Sequence, residues 1–183
     1  MKTATQTLGF PEMDELYSAN HIASVVDRLA QEISLDLSNA NPILVGVLNG
    51  SVPFLADLMR KLQFPLEIAY LAISSYHGNK STGQVTMLRD LESTVSDRHV
   101  VLVEDIVDTG TTATYLVDHL SKQNPASLKF CSLISKQRQR KTEVHLDYVG
   151  FELLEGYVVG YGLDFQHQYR NMPSISVLKD GGI

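Results

Sequence analysis

Residues 100–112, Val-Val-Leu-Val-Glu-Asp-Ile-Val-Asp-Thr-Gly-Thr-Thr, constrain the fold more than any other segment of the chain. Four aliphatic residues, Val100 to Val103, run straight into Glu104 and Asp105. Two more aliphatics precede Asp108, and Thr109-Gly110-Thr111-Thr112 then opens an amphipathic stretch. An unbroken apolar run bounded by a small-residue turn fits a strand buried on both faces, as in a parallel sheet. The turn leads into a helix, whose first amides lack intrahelical partners and whose dipole favours an anion. Phosphate suits that position. As a plain acidic turn the three carboxylates would repel one another. They make sense if they hold ribose hydroxyls, a divalent metal or a proton in transit.

The remaining chain repeats the same alternation of strand and helix. Met13, Leu16, Ile22, Val25, Val26, Leu29 and Ile33 recur at helical steps, which predicts a helix over 13–34. Ile43 to Leu48 reads as a buried strand, Asn49-Gly50-Ser51 as a turn, and 52–62 as a helix with Pro53 in its first turn. Strands follow at 66–74 and 85–88, joined by a polar loop over 75–84, and the helix after the acidic strand spans 112–122. Further strands fall at 128–135, 148–151, 157–161 and 175–178. This is an α/β pattern, with a mostly parallel sheet covered by helices and ligands expected beyond the carboxyl ends of the strands. The length of 183 residues and 44% hydrophobic content suit one domain over 1–183.

A net charge of −6 argues against a nucleic-acid-binding surface. The basic run Lys136-Gln-Arg138-Gln-Arg140-Lys141 is a local exception, open to reading as a solvated loop or as an anion-binding one. With Cys131 the single cysteine, an intrachain disulfide and a cysteine-rich zinc site are excluded. The six histidines show no ligand spacing, and His167 reads as an ordinary surface residue. No apolar run is long enough to span a bilayer, and the polar segment 1–7 is no signal peptide. A cytoplasmic enzyme without a membrane partner is expected, so the sequons at Asn49 and Asn79 are read as chance.

Glu104-Asp-Ile-Val-Asp108-Thr-Gly110 resembles the phosphoribosyl-pyrophosphate (PRPP) signature of the type I phosphoribosyltransferases, in the form of the hypoxanthine-guanine branch. The agreement extends over roughly residues 43–178. It implies the family's Rossmann-like fold with a small hood and a flexible loop. The 5′-phosphate and ribose of PRPP would be held by Glu104, Asp105, Asp108, Thr109, Gly110, Thr111 and Thr112, with Asp108 as the catalytic group handling the purine's ring proton. Leu48, Asn49 and Gly50, across a cis peptide joining Leu48 to Asn49, would bind pyrophosphate together with Arg170. Many relatives have lysine where this chain has Asn49, and proline where it has Gln137.

The same resemblance assigns the purine to Lys136, Tyr157, Val158 and Asp164. Lys136 would donate to the exocyclic oxygen of a 6-oxopurine and so disfavour adenine. Tyr157 would stack on the base, and the carbonyls of Val158 and Asp164 would read its 2-position edge. Mg²⁺ is the implied cofactor, with Glu104, Asp105 and the Asp164 carboxylate as ligands, and Ser75-Tyr76 would begin a lid. The implied reaction converts PRPP and hypoxanthine or guanine into inosine or guanosine 5′-monophosphate (IMP, GMP) and pyrophosphate, in a homodimer or homotetramer. A xanthine-preferring transferase and a non-catalytic nucleotide-sensing regulator are the alternatives.

Overall fold

The computed structural model describes residues 13–75, 85–138 and 140–178. In chain order the elements are β1 (Asp14–Tyr17), α1 (Ala19–Leu37), β2 (Ile43–Leu48), α2 (Val52–Lys61), β3 (Glu67–Ser75) and β4 (Val85–Arg89). They continue with β5 (His99–Val107), α3 (Thr111–Ser121), β6 (Ser127–Lys136), β7 (Tyr148–Leu153), β8 (Val158–Val159) and β9 (Ile175–Val177). Six strands form one sheet in the order β4-β3-β2-β5-β6-β7, parallel throughout except for the β3–β4 pair. The other three form a small antiparallel sheet, β1-β9-β8, which is the hood.

The apolar run of β5 is buried on both sides because successive side chains point to opposite faces. Val101 and Val103 pack with Ile22, Leu29, Phe54 and Leu55 of α1 and α2. Val100 and Leu102 pack with Leu116 and Leu120 of α3. In β2, Leu44 joins the first core while Val45 and Val47 join the second. The two central strands thus lie side by side with helices above and below, and the loops after both emerge at one edge.

The expected helix over 13–34 is corrected at its start. Residues 14–17 form β1, and the helix begins only at Ala19. Ser18 is extended, and its hydroxyl accepts from the His21 N–H at 3.3 Å, capping α1. Pairing with β9 and stacking of Tyr17 on Phe151, ring centroids 3.8 Å apart, outweigh the helical spacing of Met13 and Leu16. The strand expected over 157–161 shrinks to Val158–Val159, because the backbone turns left-handed at Gly160, Tyr161 and Gly162. Of the expected loop over 75–84, Ser75 ends β3 and faces Val85 of β4; Tyr76 and the rest lie outside the described residues. No described helix is long and apolar enough to cross a membrane.

Candidate active site

A cleft of about 510 Å³ opens at the carboxyl ends of β2, β5 and β6, beneath the hood. The β2 loop contributes Leu48, Asn49 and Gly50, and β5 with its loop contributes Glu104, Asp105, Asp108, Thr109, Gly110 and Thr112. Lys136 enters from the end of β6, and Tyr157, Val158, Asp164 and Arg170 from the hood. Thr111 is not among the lining residues. Ile73, Val107, Ala113 and Leu163 also line the cleft, and nothing in the sequence distinguishes them from core aliphatics.

Each loop has a local cause. Gly110 precedes α3 at φ +84°, a conformation that L side chains rarely adopt, and it brings no side chain to cap the helix. The first turn of α3 therefore keeps amides for an external acceptor. Thr109 and Thr111 share a hydroxyl contact of 3.3 Å. After β2 the chain turns through the cis Leu48–Asn49 peptide that the resemblance implied. The buried Ser51 hydroxyl then donates back to Val47 O at 2.7 Å.

The acidic pair is tightly enclosed. Glu104 is 7% exposed, and burial, then the charge of Asp105, pushes its carboxyl well above the usual range. Burial raises Asp105 as well, opposed by the Ile106 N–H, which donates to its Oδ1 at 2.9 Å, and by the charge of Arg170. The Asp105 carboxylate also lies directly against Gly50.

Lys136 is 5% exposed, and its Nζ meets Asp108 Oδ2 at 3.2 Å. A buried ammonium needs such a partner. Gln137 donates its N–H to Leu153 O at 3.1 Å and its side-chain amide to Glu152 at 2.9 Å, so β6 passes into its loop still tied to β7.

In the hood, the Tyr157 hydroxyl donates to Asp164 O at 3.0 Å, and its ring meets Phe165 edge-on. The Asp164 carboxylate accepts from Arg170 Nη2 at 2.6 Å and from the His167 N–H at 2.8 Å. Arg170 Nη1 also donates to Gly162 O at 2.6 Å. The His167 side chain is 97% exposed, as a surface histidine would be.

Among the described residues no three ligating side chains cluster tightly enough to hold a metal alone, so Glu104, Asp105 and Asp164 form no closed cage. The oxygen-only donors on β5 still fit Mg²⁺, which is usually held by one or two carboxylates plus substrate phosphates and water. Among the described residues the cleft lining carries four acidic side chains against the two cations Lys136 and Arg170.

The family model described as "Phosphoribosyl transferase domain" matches residues 12–166. The chain is 42% identical over 175 residues to the hypoxanthine-guanine-xanthine phosphoribosyltransferase of Tritrichomonas foetus, covering 93% of this chain and 96% of that one. It is 38% identical over 166 residues to the hypoxanthine-guanine phosphoribosyltransferase of Streptococcus pyogenes, covering 90% and 92%. A crystal structure of a hypoxanthine-guanine phosphoribosyltransferase from Bacillus anthracis superposes with a TM-score of 0.87 at 36% identity, covering 92% of this chain and all of that one.

Proposed function

The chain belongs to the phosphoribosyl transferase domain family, and from that premise we propose that it is an enzyme transferring 5-phosphoribose from PRPP to N9 of hypoxanthine or guanine. The products are IMP or GMP and pyrophosphate, a purine-salvage reaction. One observation carries the reading to this chain. The uncapped start of α3, the Asp108–Lys136 pair and the Tyr157 side of the hood open onto the same cleft.

In this reading the amides of the first turn of α3, with the Thr109 and Thr112 hydroxyls, hold the 5′-phosphate. Glu104 and Asp105 face the ribose 2′- and 3′-hydroxyls and, directly or through water, Mg²⁺. When bound, Mg²⁺ supplies positive charge beside the pyrophosphate. As the C1–O bond breaks, charge separates between ribose and pyrophosphate. The carboxylates on one side, and Arg170 with the amides of residues 48–50 on the other, stabilise that separation more than the ground state. With Asn49 in place of a lysine, the β2 loop contributes through its backbone.

Lys136 donates to the purine 6-oxygen, and Asp108, its neighbour in the cleft, takes the ring proton as N9 attacks. Tyr157 stacks on the base. The Asp164 carboxylate, oriented by Arg170 and the His167 N–H, would join Glu104 and Asp105 in holding the metal. The polar loop beginning at Ser75 and Tyr76 is assigned to excluding water. The proposed location is the cytoplasm, and the proposed assembly a homodimer or homotetramer using residues 49–60, where Val52 is exposed.

The test is a nucleobase panel with PRPP and Mg²⁺, read as nucleotide formed. Hypoxanthine and guanine should react and adenine should not. Xanthine deserves a place in the panel because the trichomonad relative's name includes it. If no base reacts while IMP still binds, the nucleotide-sensing reading replaces this one.

A further inference from the structure

Beyond Lys136, the basic run over residues 138–141 is left unused by the proposed reaction. Arg138 pairs with Glu155 at 2.9 Å on the exposed surface, as a solvated loop residue would. Arg140 and its successors behave differently. The Thr109 carbonyl receives the Lys141 N–H at 2.8 Å and the Thr142 N–H at 3.2 Å. Arg140 Nη2 donates at 2.7 Å to the hydroxyl of Ser135, which is buried in β6. The segment also presses on the next residue of the loop, since a Cβ on Gly110 would overlap Thr142 O and crowd the Arg140 side chain.

These contacts determine where one amide points. In a trans peptide the C=O and the following N–H project in opposite directions. The Thr109–Gly110 bond is not the cis one. Anchoring the Thr109 oxygen on residues 141 and 142 therefore turns the Gly110 N–H the other way. Thr109 and Gly110 line the cleft, whereas Arg140, Lys141 and Thr142 do not. The segment stands behind the loop while the amide faces the front. Asp108, one residue earlier, is tied by its side chain to Lys136 of β6.

We propose that Arg140–Thr142 is a positioning strap. It holds the Thr109 carbonyl so that the Gly110 amide is presented to the ligand's 5′-phosphate, and Arg140 moors the strap to Ser135. The proposal rests on the phosphoribosyl-transfer reading of the cleft. Arg140 is a positioning residue rather than a phosphate ligand, because its side chain lies outside the cleft.

The decisive comparison is Lys141→Pro against Lys141→Ala, measured by calorimetric titration with IMP and with inosine, which lacks the phosphate. Both variants lose the side chain, but only proline loses the N–H. Lys141→Pro should bind IMP about tenfold more weakly than Lys141→Ala, the scale of one hydrogen bond to a charged group, with inosine affected equally in the two. Arg140→Ala, which leaves the backbone untouched, should weaken IMP by about threefold, with Arg140→Lys recovering part of the loss. It serves where the proline variant does not fold.

Equal IMP affinity for the two Lys141 variants, or an Arg140→Ala effect as large on inosine as on IMP, overturns the strap. A wild-type protein that binds IMP no better than inosine overturns the phosphate-loop reading itself, and the strap with it.

Discussion

The carboxylate of Asp105 fills the space where a side chain on Gly50 would stand, so a Cβ built at that glycine collides with Oδ2. The two residues belong to neighbouring strand ends, β2 and β5, and the contact joins the loop assigned to pyrophosphate to the acid assigned to ribose and metal. Gly50→Ala must displace one of them. The expected result is a KM for PRPP raised at least about tenfold, with about 1–3 kcal/mol of stability lost to overpacking. Steady-state kinetics and thermal unfolding of the purified variant check both figures. An unchanged KM would mean the two loops can separate without consequence.

Asp108→Asn preserves shape and removes the proton acceptor. kcat should fall by about 10²–10⁴ while IMP still binds, because the assigned role lies in the transition state. The same change leaves Lys136, 5% exposed, facing a neutral amide. A small drop in melting temperature is expected alongside the kinetic defect. Unaltered turnover would remove Asp108 from proton transfer.

Tyr157→Phe deletes the hydroxyl that donates to Asp164 O and keeps the ring. Burial, then the charge of Asp164, raises this phenol above its ordinary range, so it stays a donor throughout the working pH range. Loss of one neutral hydrogen bond of about 0.5–1.5 kcal/mol should raise the KM for the base by about two- to tenfold. Tyr157→Ala, which also removes the stacking face, should cost more than Tyr157→Phe. If the two variants match, stacking contributes nothing.

The acid limb of stability should carry a signature of Asp36. Lys129 Nζ and the Tyr148 hydroxyl each reach its Oδ2 at 2.7 Å, joining the end of α1 to β6 and β7. The hydrogen bond from Lys129, then that from Tyr148, lowers the Asp36 pKa in the folded protein. A depressed folded value means that this stabilisation is fully present above the unfolded pKa of about 3.9 and is lost as pH falls through the folded one. Melting temperatures measured from pH 6 down to about pH 3 should therefore decline less steeply in Asp36→Asn than in the wild type. Parallel curves would show that the pair is solvated away.

What could be read from the sequence was local. The β5 strand, its acidic end and the start of α3 are legible because strand, turn and helix cues sit within 13 consecutive residues. The end of α1, the turn after β2 and the break before β6 carry equally local punctuation in Asn41-Pro42, Asn49-Gly50-Ser51 and Asn124-Pro125. β1 was not legible, because its partner strand lies near the other end of the chain and its own apolar spacing imitates a helix. The Lys136–Asp108 pair joins residues 28 apart, and only strand order makes them neighbours. The contacts of Lys141 and Thr142 with Thr109 run through backbone atoms alone and leave no mark on residue type. The engagement of Asp164 by both Arg170 and the His167 amide likewise depends on a left-handed turn at residues 166 and 167.

The hood has a consequence for how the molecule is made. Its sheet pairs Asp14–Tyr17 with Ile175–Val177, and β8, beside Tyr157, is hydrogen-bonded to that same late strand. The loop assigned to the phosphate is synthesised well before this strand, and the wall assigned to the base has no central strand until Val177 has left the ribosome exit tunnel. The wall assigned to the purine is thus completed later than the loop assigned to the phosphate. A nascent polypeptide stalled before residue 175 would carry the loops after β2, β5 and β6 without the central strand of their roof.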